Sequence, residues 1–464
     1  MKILWFGDIG RPTSFSRISE SVIPHLNSAD SPAAVSGRAV SCYVLAPPRS
    51  LIKSVDALRH ATKVYHVGDP IPSIGMTWEL FRTARSAAST ERSSGWLRHV
   101  DRHEVCSGRT ETSQSELSLK MKYALLQAIQ HSKDENIDYI IFVIGIYEAD
   151  WFMTLYNNAR LTQVLPKVIV WTPLDYKPSH KVVENICKAD MLFTMTNSGM
   201  ESIQAALGSV VATVAEPREN IYVVPHAVSK CFYKIPHRKA YKYLKPIIKT
   251  LNKDDLIILN ANNYVERKQI HLTIEAFAAV KGGKKLWLHT NTKNPEFIRM
   301  MEHYRKKFNF SQDEIILTMN DASEEMLNNI YNFCQIGLQT SWGEGWSLTN
   351  CEHAITGAIQ VVPDFLATGE NFRRTGYAYQ VGEKEFINEA GHTVTIADIK
   401  LDNILPVLKN AITTRCDALR RVDSELRSGC ERRTACEASC IRQPYRREFT
   451  WEAIANQIKD LIAA

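Results

Sequence analysis

The chain has 464 residues, of which 45% are hydrophobic and 23% are charged, and its formal net charge is +6. This length predicts two domains, and the balanced composition excludes a disordered or fibrous protein. The modest positive charge is compatible with acidic ligands such as phosphates but does not indicate nucleic acid, so no nucleic-acid partner is expected.

The sequence contains no apolar run of about 18 residues, so no transmembrane helix is predicted. The opening run ILWF meets Gly7 and Asp8 at once, which is too short for a signal peptide and typical of a first strand. A cytoplasmic protein is expected, and peripheral association with a membrane is compatible with these features.

Short apolar runs alternate with segments of helical spacing along the whole chain. Runs that are apolar on both faces and separated by helices predict parallel sheets covered by helices on both sides. A first series lies at 3–8, 42–47, 63–68, 139–147, 167–174, 190–196 and 222–228, and a second at 255–263, 285–291, 314–320, 336–341 and 359–364. The predicted fold class is α/β, with two Rossmann-like domains whose parallel sheets face a central cleft.

The Lys- and Tyr-rich stretch between the two series predicts the domain boundary. The N-terminal domain is expected at 1–235 and the second domain at 236–447. Within the first domain, residues 83–118 are rich in Ser, Thr and Arg and poor in aliphatic side chains, which predicts a mobile insertion. A role of this insertion in gripping an acceptor is one alternative.

The cysteines do not indicate a disulfide framework. Several of the ten lie inside apolar runs, which is typical of reduced core residues. Cys416, Cys430, Cys436 and Cys440 crowd one Arg-rich stretch, and four thiolates could hold zinc. Their spacing lacks a Cys-x2-Cys pair, so a solvated helical segment is favoured over a metal site.

A glycine-containing loop follows the first predicted strand, in the sequence GDIGRP. Gly7 and Gly10 before a helix leave backbone N–H groups available for a phosphate or sugar oxygen, and Arg11 adds a cation. The spacing does not meet the Gly-x-Gly-x-x-Gly dinucleotide fingerprint, so a simple tight turn remains the alternative.

Two adjacent cations, Arg267 and Lys268, follow the strand that ends at Asn260. A lysine point charge beside a planar arginine fork suits a diphosphate. The alternative is a solvated basic helix start, although cations at that end oppose the helix dipole.

The stretch SWGEGWSLTNCE, from Ser341 to Glu352, follows a buried strand. Gly343 and Gly345 permit close approach of the backbone to a ligand, and Glu344 can accept hydrogen bonds from sugar hydroxyls. Glu352 comes eight residues later and is expected about two helical turns along on the same side. The alternative reads Glu344 as an anion at a helix N-terminus and Glu352 as a surface residue.

These segments together resemble the family 4 retaining glycosyltransferases. The residues that carry the resemblance are Gly-Glu-Gly-Trp-Ser-Leu-x-x-x-Glu as the Glu-x7-Glu motif, ValGluArgLysGln before LTIEAFA, ValProHisAla at 224–227 and FTWEAIANQI near the C-terminus. The resemblance spans nearly the whole chain in the right order. It implies the GT-B architecture, with the donor on the C-terminal domain and a last helix, at 448–464, that crosses back to the N-terminal domain.

The resemblance also implies roles for individual residues. Glu344 would contact hydroxyls of the donor sugar, Glu352 the ribose hydroxyls, and Lys268 the diphosphate. Backbone N–H groups around Gly343, Gly345 and Trp346 would hold sugar and phosphate. The full donor-binding set is Asn263, Arg267, Lys268, Ser341, Gly343, Glu344, Gly345, Trp346, Ser347, Leu348 and Glu352.

One position departs from the family pattern. The family commonly has an arginine five residues before the motif lysine, and Asn263 stands there in this chain. Either Arg267 supplies the missing charge, or the donor is held more weakly.

The acceptor side is expected in the N-terminal domain. Glu148 and Asp175 follow predicted strands there, and Asp175 could bind an acceptor hydroxyl or simply end a turn. His226 stands where the family often has a histidine, with a structural role as the alternative. Gly10 and Arg11 fall in the loop that meets acceptor or phosphate.

The sequence therefore predicts a retaining glycosyltransferase with Glu344, Lys268 and Asp175 as its catalytic residues. The donor would be a UDP- or GDP-linked sugar, and the acceptor a glycan, a glycoprotein or a lipid-linked molecule. No Asp-x-Asp pair occurs, so no essential metal and no cofactor are expected. The alternatives are a GT-B epimerase or phosphorylase, the latter needing a pyridoxal-phosphate lysine, and a non-catalytic nucleotide-sugar binder.

Overall fold

The computed structural model describes residues 1–7, 14–26, 41–46, 63–66, 128–208, 219–290, 294–388, 391–427 and 449–463. The chain forms two compact units. The first comprises Met1–Pro225, Glu385–Val394 and Trp451–Ala464, and the second comprises His226–Lys384 and Thr395–Thr450. The boundary near residue 225 lies ten residues before the one predicted from the Lys- and Tyr-rich stretch. The predicted insertion at 83–118 lies outside the described residues.

The first unit is built on a seven-stranded parallel sheet in the order β3-β2-β1-β4-β5-β6-β7. All seven apolar runs of the first series form its strands. The strands are β1 (Lys2–Gly7), β2 (Ser41–Ala46), β3 (Lys63–His66), β4 (Tyr139–Val143), β5 (Lys167–Trp171), β6 (Met191–Thr194) and β7 (Ile221–Val223). The helices with described bounds are α1 (Ser14–Leu26), α2 (Ile146–Arg160), α3 (His180–Ile186) and α4 (Asn197–Gly208), and residues 128–134 are also helical.

The central strands of this sheet are apolar because helices cover both of their faces. Four consecutive residues are buried in β4 and four in β5, on alternating sides of the sheet. Trp5 on β1 meets Trp171 on β5 edge to face, with ring centroids 6.2 Å apart. A strand buried on both faces cannot alternate apolar and polar residues, which is why continuous apolar runs predicted it correctly.

The last helix, α12 (Trp451–Ala463), packs within the first unit. Lys459 Nζ donates to the carbonyl oxygen of His25 at the end of α1, with an N···O distance of 2.7 Å. Gln457 Nε2 donates to the carbonyl oxygen of Val223 on β7 at 2.8 Å. The chain therefore returns to its first unit after completing the second.

The second unit is built on a six-stranded parallel sheet in the order β10-β9-β8-β11-β12-β13. All five runs of the second series form strands. The strands are β8 (Leu256–Ala261), β9 (Lys284–Thr290), β10 (Ile315–Met319), β11 (Ile336–Leu338), β12 (Ile359–Pro363) and β13 (Ala378–Tyr379). The helices are α5 (His237–Leu244), α6 (Ile270–Ala278), α7 (Pro295–Lys307), α8 (Glu324–Phe333), α9 (Leu348–Ile355), α10 (Leu366–Phe372) and α11 (Leu401–Arg427).

Three strands lack a counterpart among the predicted runs. β13 has two residues, and β14 (Gly382–Ile387) pairs with β15 (Thr393–Asp398) in a separate two-stranded sheet. β14 is mostly exposed and polar, in the sequence GEKEFI. Neither a two-residue strand nor an exposed polar strand produces the buried apolar run on which the prediction depended, and β15, in the sequence TVTIAD, interrupts its apolar residues with polar ones.

β8 and β11 are neighbours at the centre of the second sheet. Ile336 pairs with Ile258 and Gly337 with Leu259 in parallel register. The carboxyl ends of parallel strands meet at one edge of a sheet, so the loops that follow β8 and β11 lie side by side. The predicted donor residues come from these two loops and from the helix α9.

Candidate functional site

The candidate site consists of the β8 loop, residues 262–269, and the β11 loop, residues 339–347. The β8 loop ends in a short 3-10 helix that carries both predicted cations. The backbone N–H of Trp342 donates to the carbonyl oxygen of Arg267, with an N···O distance of 3.1 Å. The two loops are therefore joined directly through their backbones.

Glu344, Lys268 and Arg267 form one ion-pair cluster across the two loops. Lys268 Nζ binds Glu344 Oε1, and Arg267 Nη1 lies 3.1 Å from Glu344 Oε2. Arg267 Nη1 also donates to the carbonyl oxygen of Gly343 at 2.5 Å. The prediction selected these three side chains for the site, and the structure adds that each cation binds the same carboxylate.

The cluster keeps Glu344 ionised although its carboxylate is buried. Burial alone would raise the pKa of Glu344, but the charges of Arg267 and Lys268 and hydrogen bonds from Lys268 and Ser341 lower it to about 2. The residue is only 5% exposed, so its charge is stabilised by these partners and not by water. The site therefore presents a permanent carboxylate beside two cations.

Gln339 is a residue of the site that the sequence analysis missed. It follows β11 directly and is fully buried. Its Nε2 lies 3.2 Å from Glu344 Oε1 and 3.1 Å from Asn350 Oδ1, and it donates a hydrogen bond to each. The available signal was a long polar side chain at the end of an apolar run, which has no place in a buried strand unless its amide is satisfied.

The turn into α9 is held by side-chain hydrogen bonds and a left-handed residue. Ser347 has φ 68°, a conformation that non-glycine residues rarely adopt. Its hydroxyl donates to Asn350 Oδ1 at 2.7 Å. Leu348 begins the helix, and the carbonyl oxygen of Trp346 accepts a hydrogen bond from Asn371 Nδ2 at 3.2 Å.

Asparagine and threonine side chains support the two loops from inside the unit. Asn262 Nδ2 donates to Gln339 Oε1 at 3.1 Å and to Asn260 Oδ1 at 2.8 Å. Asn260 Nδ2 in turn donates to Thr273 Oγ1 at 2.9 Å. A pocket beside this network is lined by Leu259, Asn260, Ala261, Asn262, Tyr331, Gly337, Leu338, Thr349, Asn350 and His353.

Glu352 is buried on α9, so its alternative reading as a surface residue is wrong. It is 1% exposed and accepts a hydrogen bond from the hydroxyl of Tyr331 at 3.1 Å. The expected two helical turns between the two glutamates are also wrong, because α9 begins only at Leu348 and Glu344 lies in the loop before it. Contact of Glu352 with a ribose stays a prediction.

Asn263 is exposed on the β8 loop, at the position where the resemblance described above led us to expect an arginine. Its carbonyl oxygen accepts a hydrogen bond from the backbone N–H of Val265 at 3.1 Å. Arg267 follows four residues later and already places a guanidinium on Glu344. The cluster thus contains an arginine charge despite the substitution at Asn263.

Two candidate acceptor residues of the first unit, Glu148 and Asp175, follow the adjacent parallel strands β4 and β5. Glu148 is in the first turn of α2, exposed, with its carboxylate folded back over Gly145. This position suits a carboxylate that stabilises a helix N-terminus. Asp175 is half-buried and lies four residues after β5. Gly10 and Arg11 lie outside the described residues.

His226 belongs to the second unit and packs against the β11 loop. Its ring centroid lies 5.9 Å from that of Trp346, and the side chain is 3% exposed. Burial lowers the pKa of His226 to about 3, so the imidazole is neutral at physiological pH. A neutral, packed imidazole agrees with the alternative interpretation of His226 as a structural residue.

Within the described residues, no group of three or more His, Cys, Asp or Glu side chains is arranged to hold a metal ion. Cys416 is a free thiol on α11, and the other three cysteines of its cluster lie outside the part of the chain that is described. None of the described helices is long and apolar enough to cross a membrane.

Comparisons with known proteins give similarity in structure and none in sequence. No protein-family model and no curated protein matches the chain. HepE from Anabaena, solved in complex with UDP-glucose, is 11% identical with a TM-score of 0.60, over 100% of this chain and 99% of HepE. Sucrose-phosphate synthase from Thermosynechococcus elongatus is 14% identical with a TM-score of 0.61, over 100% and 98% of the two chains.

A third solved structure covers less of the chain. The UDP-forming α,α-trehalose-phosphate synthase from Burkholderia xenovorans is 12% identical with a TM-score of 0.53, over 76% of this chain and 80% of that one. The full-length likeness to the first two proteins and the two parallel sheets show that this chain has the two-domain α/β GT-B fold.

Proposed function

We propose that the protein is a glycosyltransferase that moves a sugar from a UDP- or GDP-linked donor to a glycan, protein or lipid acceptor. The observation that carries the proposal is the cluster of Glu344, Lys268 and Arg267 at the carboxyl edge of two adjacent parallel strands. Ligands of such sheets bind at this edge. The fold is shared with a protein solved in complex with UDP-glucose and with a synthase described as UDP-forming, which favours UDP.

The cluster is suited to a donor that carries both a diphosphate and a sugar. Phosphate oxygens would compete with the Glu344 carboxylate for Lys268 and Arg267, because both anions form charge-assisted hydrogen bonds with these cations. A carboxylate can only accept hydrogen bonds, so Glu344 would receive them from sugar hydroxyls. Donor binding would therefore exchange the internal ion pairs for two sets of ligand contacts.

The chemical step in this proposal depends on charge stabilisation. As the bond from the anomeric carbon to the diphosphate breaks, negative charge grows on the leaving oxygen, and Lys268 and Arg267 would stabilise it. The departing diphosphate would take the proton of the acceptor hydroxyl, which attacks from the same face, so the anomeric configuration is retained. Asp175 would bind that hydroxyl on the acceptor side.

Lys285 provides a matched control for Lys268. Lys285 Nζ binds Asp255 Oδ2 at 2.8 Å, and their side chains are 12% and 13% exposed, against 13% and 7% for Lys268 and Glu344. Lys285 lies at the start of β9, so it sits at the opposite edge of the same sheet. Replacing either lysine by glutamine breaks a similarly buried ion pair.

The test is calorimetric titration with UDP-glucose and GDP-mannose in EDTA, with release of the free nucleotide followed in parallel. The wild type and Lys285→Gln should bind one donor with equal affinity, and Lys268→Gln should lose roughly tenfold or more. Binding only after addition of a divalent ion would overturn metal independence. No binding of any nucleotide sugar would overturn the proposed function, and binding without turnover would favour the non-catalytic alternative.

A further inference from the structure

The carboxylate of Glu344 receives donors of two different kinds. Lys268 and Arg267 come from the β8 loop, and their side chains keep 13% and 25% of their surface exposed. Gln339 comes from the β11 loop, which carries Glu344 itself, and is completely buried. In the proposed function the cations are the groups that an incoming diphosphate attracts, whereas Gln339 has no route to the ligand.

The orientation of the Gln339 amide is set by its surroundings. Its Oε1 accepts hydrogen bonds from Asn262 Nδ2 at 3.1 Å and from the backbone N–H of Thr340 at 3.2 Å. The backbone N–H can only donate, so it must face an oxygen. The Nε2 group is thereby directed at Glu344, which can only accept.

The second hydrogen of the same amide extends the connection to α9. Gln339 Nε2 donates to Asn350 Oδ1, which also accepts from the hydroxyl of Ser347. Asn350 Nδ2 donates to Gln360 Oε1 on β12 at 2.9 Å. One buried amide therefore holds the catalytic carboxylate and the first turn of α9 in a fixed relation.

We propose that Gln339 is a positioning residue of the donor-sugar subsite, which keeps the Glu344 carboxylate in place when Lys268 and Arg267 turn to the diphosphate. This inference rests on the proposed function. Without Gln339, the carboxylate would lose a hydrogen bond from a buried, fixed donor when the cations leave it. The loss would weaken binding of the donor sugar and leave binding of the nucleotide unchanged.

UDP and UDP-glucose separate these two contributions, because UDP lacks the sugar that Glu344 would bind. In Gln339→Leu, the affinity for UDP should stay within about twofold of the wild type. The ratio of UDP-glucose to UDP affinity should fall by roughly tenfold to a hundredfold, the range for a lost hydrogen bond to a charged group. The corresponding GDP pair replaces these ligands if the wild type binds GDP.

Gln335→Leu is the matched control. Gln335 lies directly before β11 as Gln339 lies directly after it, and it is 6% exposed. Its amide is also fully engaged, with Nε2 donating to the carbonyl oxygen of Phe333 at 2.9 Å and Oε1 accepting from the backbone N–H of Ile257 at 2.8 Å. A general loss of stability should appear in both variants, whereas the change in the affinity ratio should appear only in Gln339→Leu.

Gln339→Glu keeps the shape of the side chain and gives a second readout. When protonated, the new carboxyl can still donate to Glu344, and when ionised it repels it. The terminal phosphate of UDP itself titrates at about pH 6, so each variant is compared with the wild type at the same pH. The affinity ratio of Gln339→Glu should be close to that of the wild type at pH 5 and fall below it as the pH rises to 8, whereas Gln335→Glu should follow the wild type throughout.

The outcomes distinguish this inference from the proposed function. If the wild type binds neither UDP-sugar nor GDP-sugar, the proposed function itself fails. If the wild type binds one of them and Gln339→Leu retains the wild-type affinity ratio, only the role of Gln339 is overturned. An equal fall in nucleotide and nucleotide-sugar affinity would assign Gln339 to stability alone.

Discussion

Glu344 links the chemistry of the site to the stability of its loops. Its carboxylate joins the β8 loop to the β11 loop through two cations, and its pKa is lowered to about 2 against the opposing effect of burial. An ionised group of this kind stabilises the folded chain only while it is charged. The same charge would serve the donor sugar, so the site and its stability depend on one protonation state.

We expect the contribution of Glu344 to stability to disappear at low pH. The folded pKa lies below the ordinary value of about 4.3, so the contribution is fully present above pH ~4.3 and is lost as the pH falls toward 2. The full effect is on the order of 3 kcal/mol. Hydrogen exchange measures the stability of the β11 loop, and above pH ~5 this stability should be lower in Glu344→Gln than in the wild type.

The difference between these two proteins should narrow as the pH is lowered from 5 toward 3. A constant difference across this range would show that Glu344 does not titrate there. A difference that grows on acidification would mean that the folded chain holds the proton more tightly than the unfolded one, which is the opposite sign.

The contacts among the site residues were only partly predictable from the sequence. Arg267, Lys268 and Glu344 were selected because cations and a carboxylate follow predicted strands. Lys268 and Glu344 bind each other although they are 76 positions apart in the chain. No pattern of neighbouring residues indicates such a contact. The polar side chain of Gln339 at the end of an apolar run was a local signal, but its partners Asn262 and Asn350 lie on different elements and could not be read from it.

The packing of β11 against α9 sets the position of the β11 loop. Gly337 lies in the middle of β11, where an added Cβ would stand 2.9 Å from His353 Nδ1 and 2.8 Å from Gln360 Cδ. Both neighbours are buried, so neither side chain can move aside without disturbing other contacts. The absence of a side chain at Gly337 thus allows α9 to approach the strand closely.

Gly337→Ala should destabilise the protein by about 1–3 kcal/mol, the usual cost of overpacking a core. The readout is chemical unfolding followed by tryptophan fluorescence. Gly282→Ala is the control, because no atom lies within 4 Å of a Cβ at that position. Equal stability of the two variants would show that the side chains around Gly337 can make room for a methyl group without lowering the free energy of unfolding.

The strands of the two parallel sheets were predicted from a single rule, which is that a strand buried on both faces is a continuous apolar run. Every apolar run of the two series became a strand, because a parallel sheet covered on both faces requires continuous apolar residues. The same rule missed β14, which is polar and exposed, and β13, which is too short. The expected helical spacing from Glu344 to Glu352 was wrong because four residues of irregular chain precede α9.

Two buried histidines, His226 and His353, and the half-buried His289 make the second unit sensitive to acid. Burial lowers the pKa of His226 to about 3 and is the main cause that lowers the pKa of His289 and His353 to about 4. The unfolded chain takes up these protons near pH 6.5, whereas the folded chain does not. Their contribution to stability is therefore present above pH ~6.5 and is lost as the pH falls toward 4 and 3.

We expect the unfolding free energy of the second unit to fall as the pH is lowered from 7 to 5. Each histidine adds a slope of up to about 1.4 kcal/mol per pH unit. Urea unfolding at a series of pH values measures this slope. His289→Asn should lower the slope by the contribution of one histidine, because one proton fewer is taken up on unfolding. A flat profile between pH 7 and 5 would show that the folded unit admits protons to all three rings.

The sequence by itself determined the two series of strands and the loops in which chemistry was to be sought. These features follow from local rules, because burial on both faces, turn residues and charge are visible in a few consecutive residues. The tertiary structure alone decided which side chains meet. The binding of Lys268 and Arg267 to Glu344 and the hydrogen bond from Asn262 to Gln339 depend on β8 and β11 becoming neighbours, a contact between segments about 80 residues apart that no local pattern encodes.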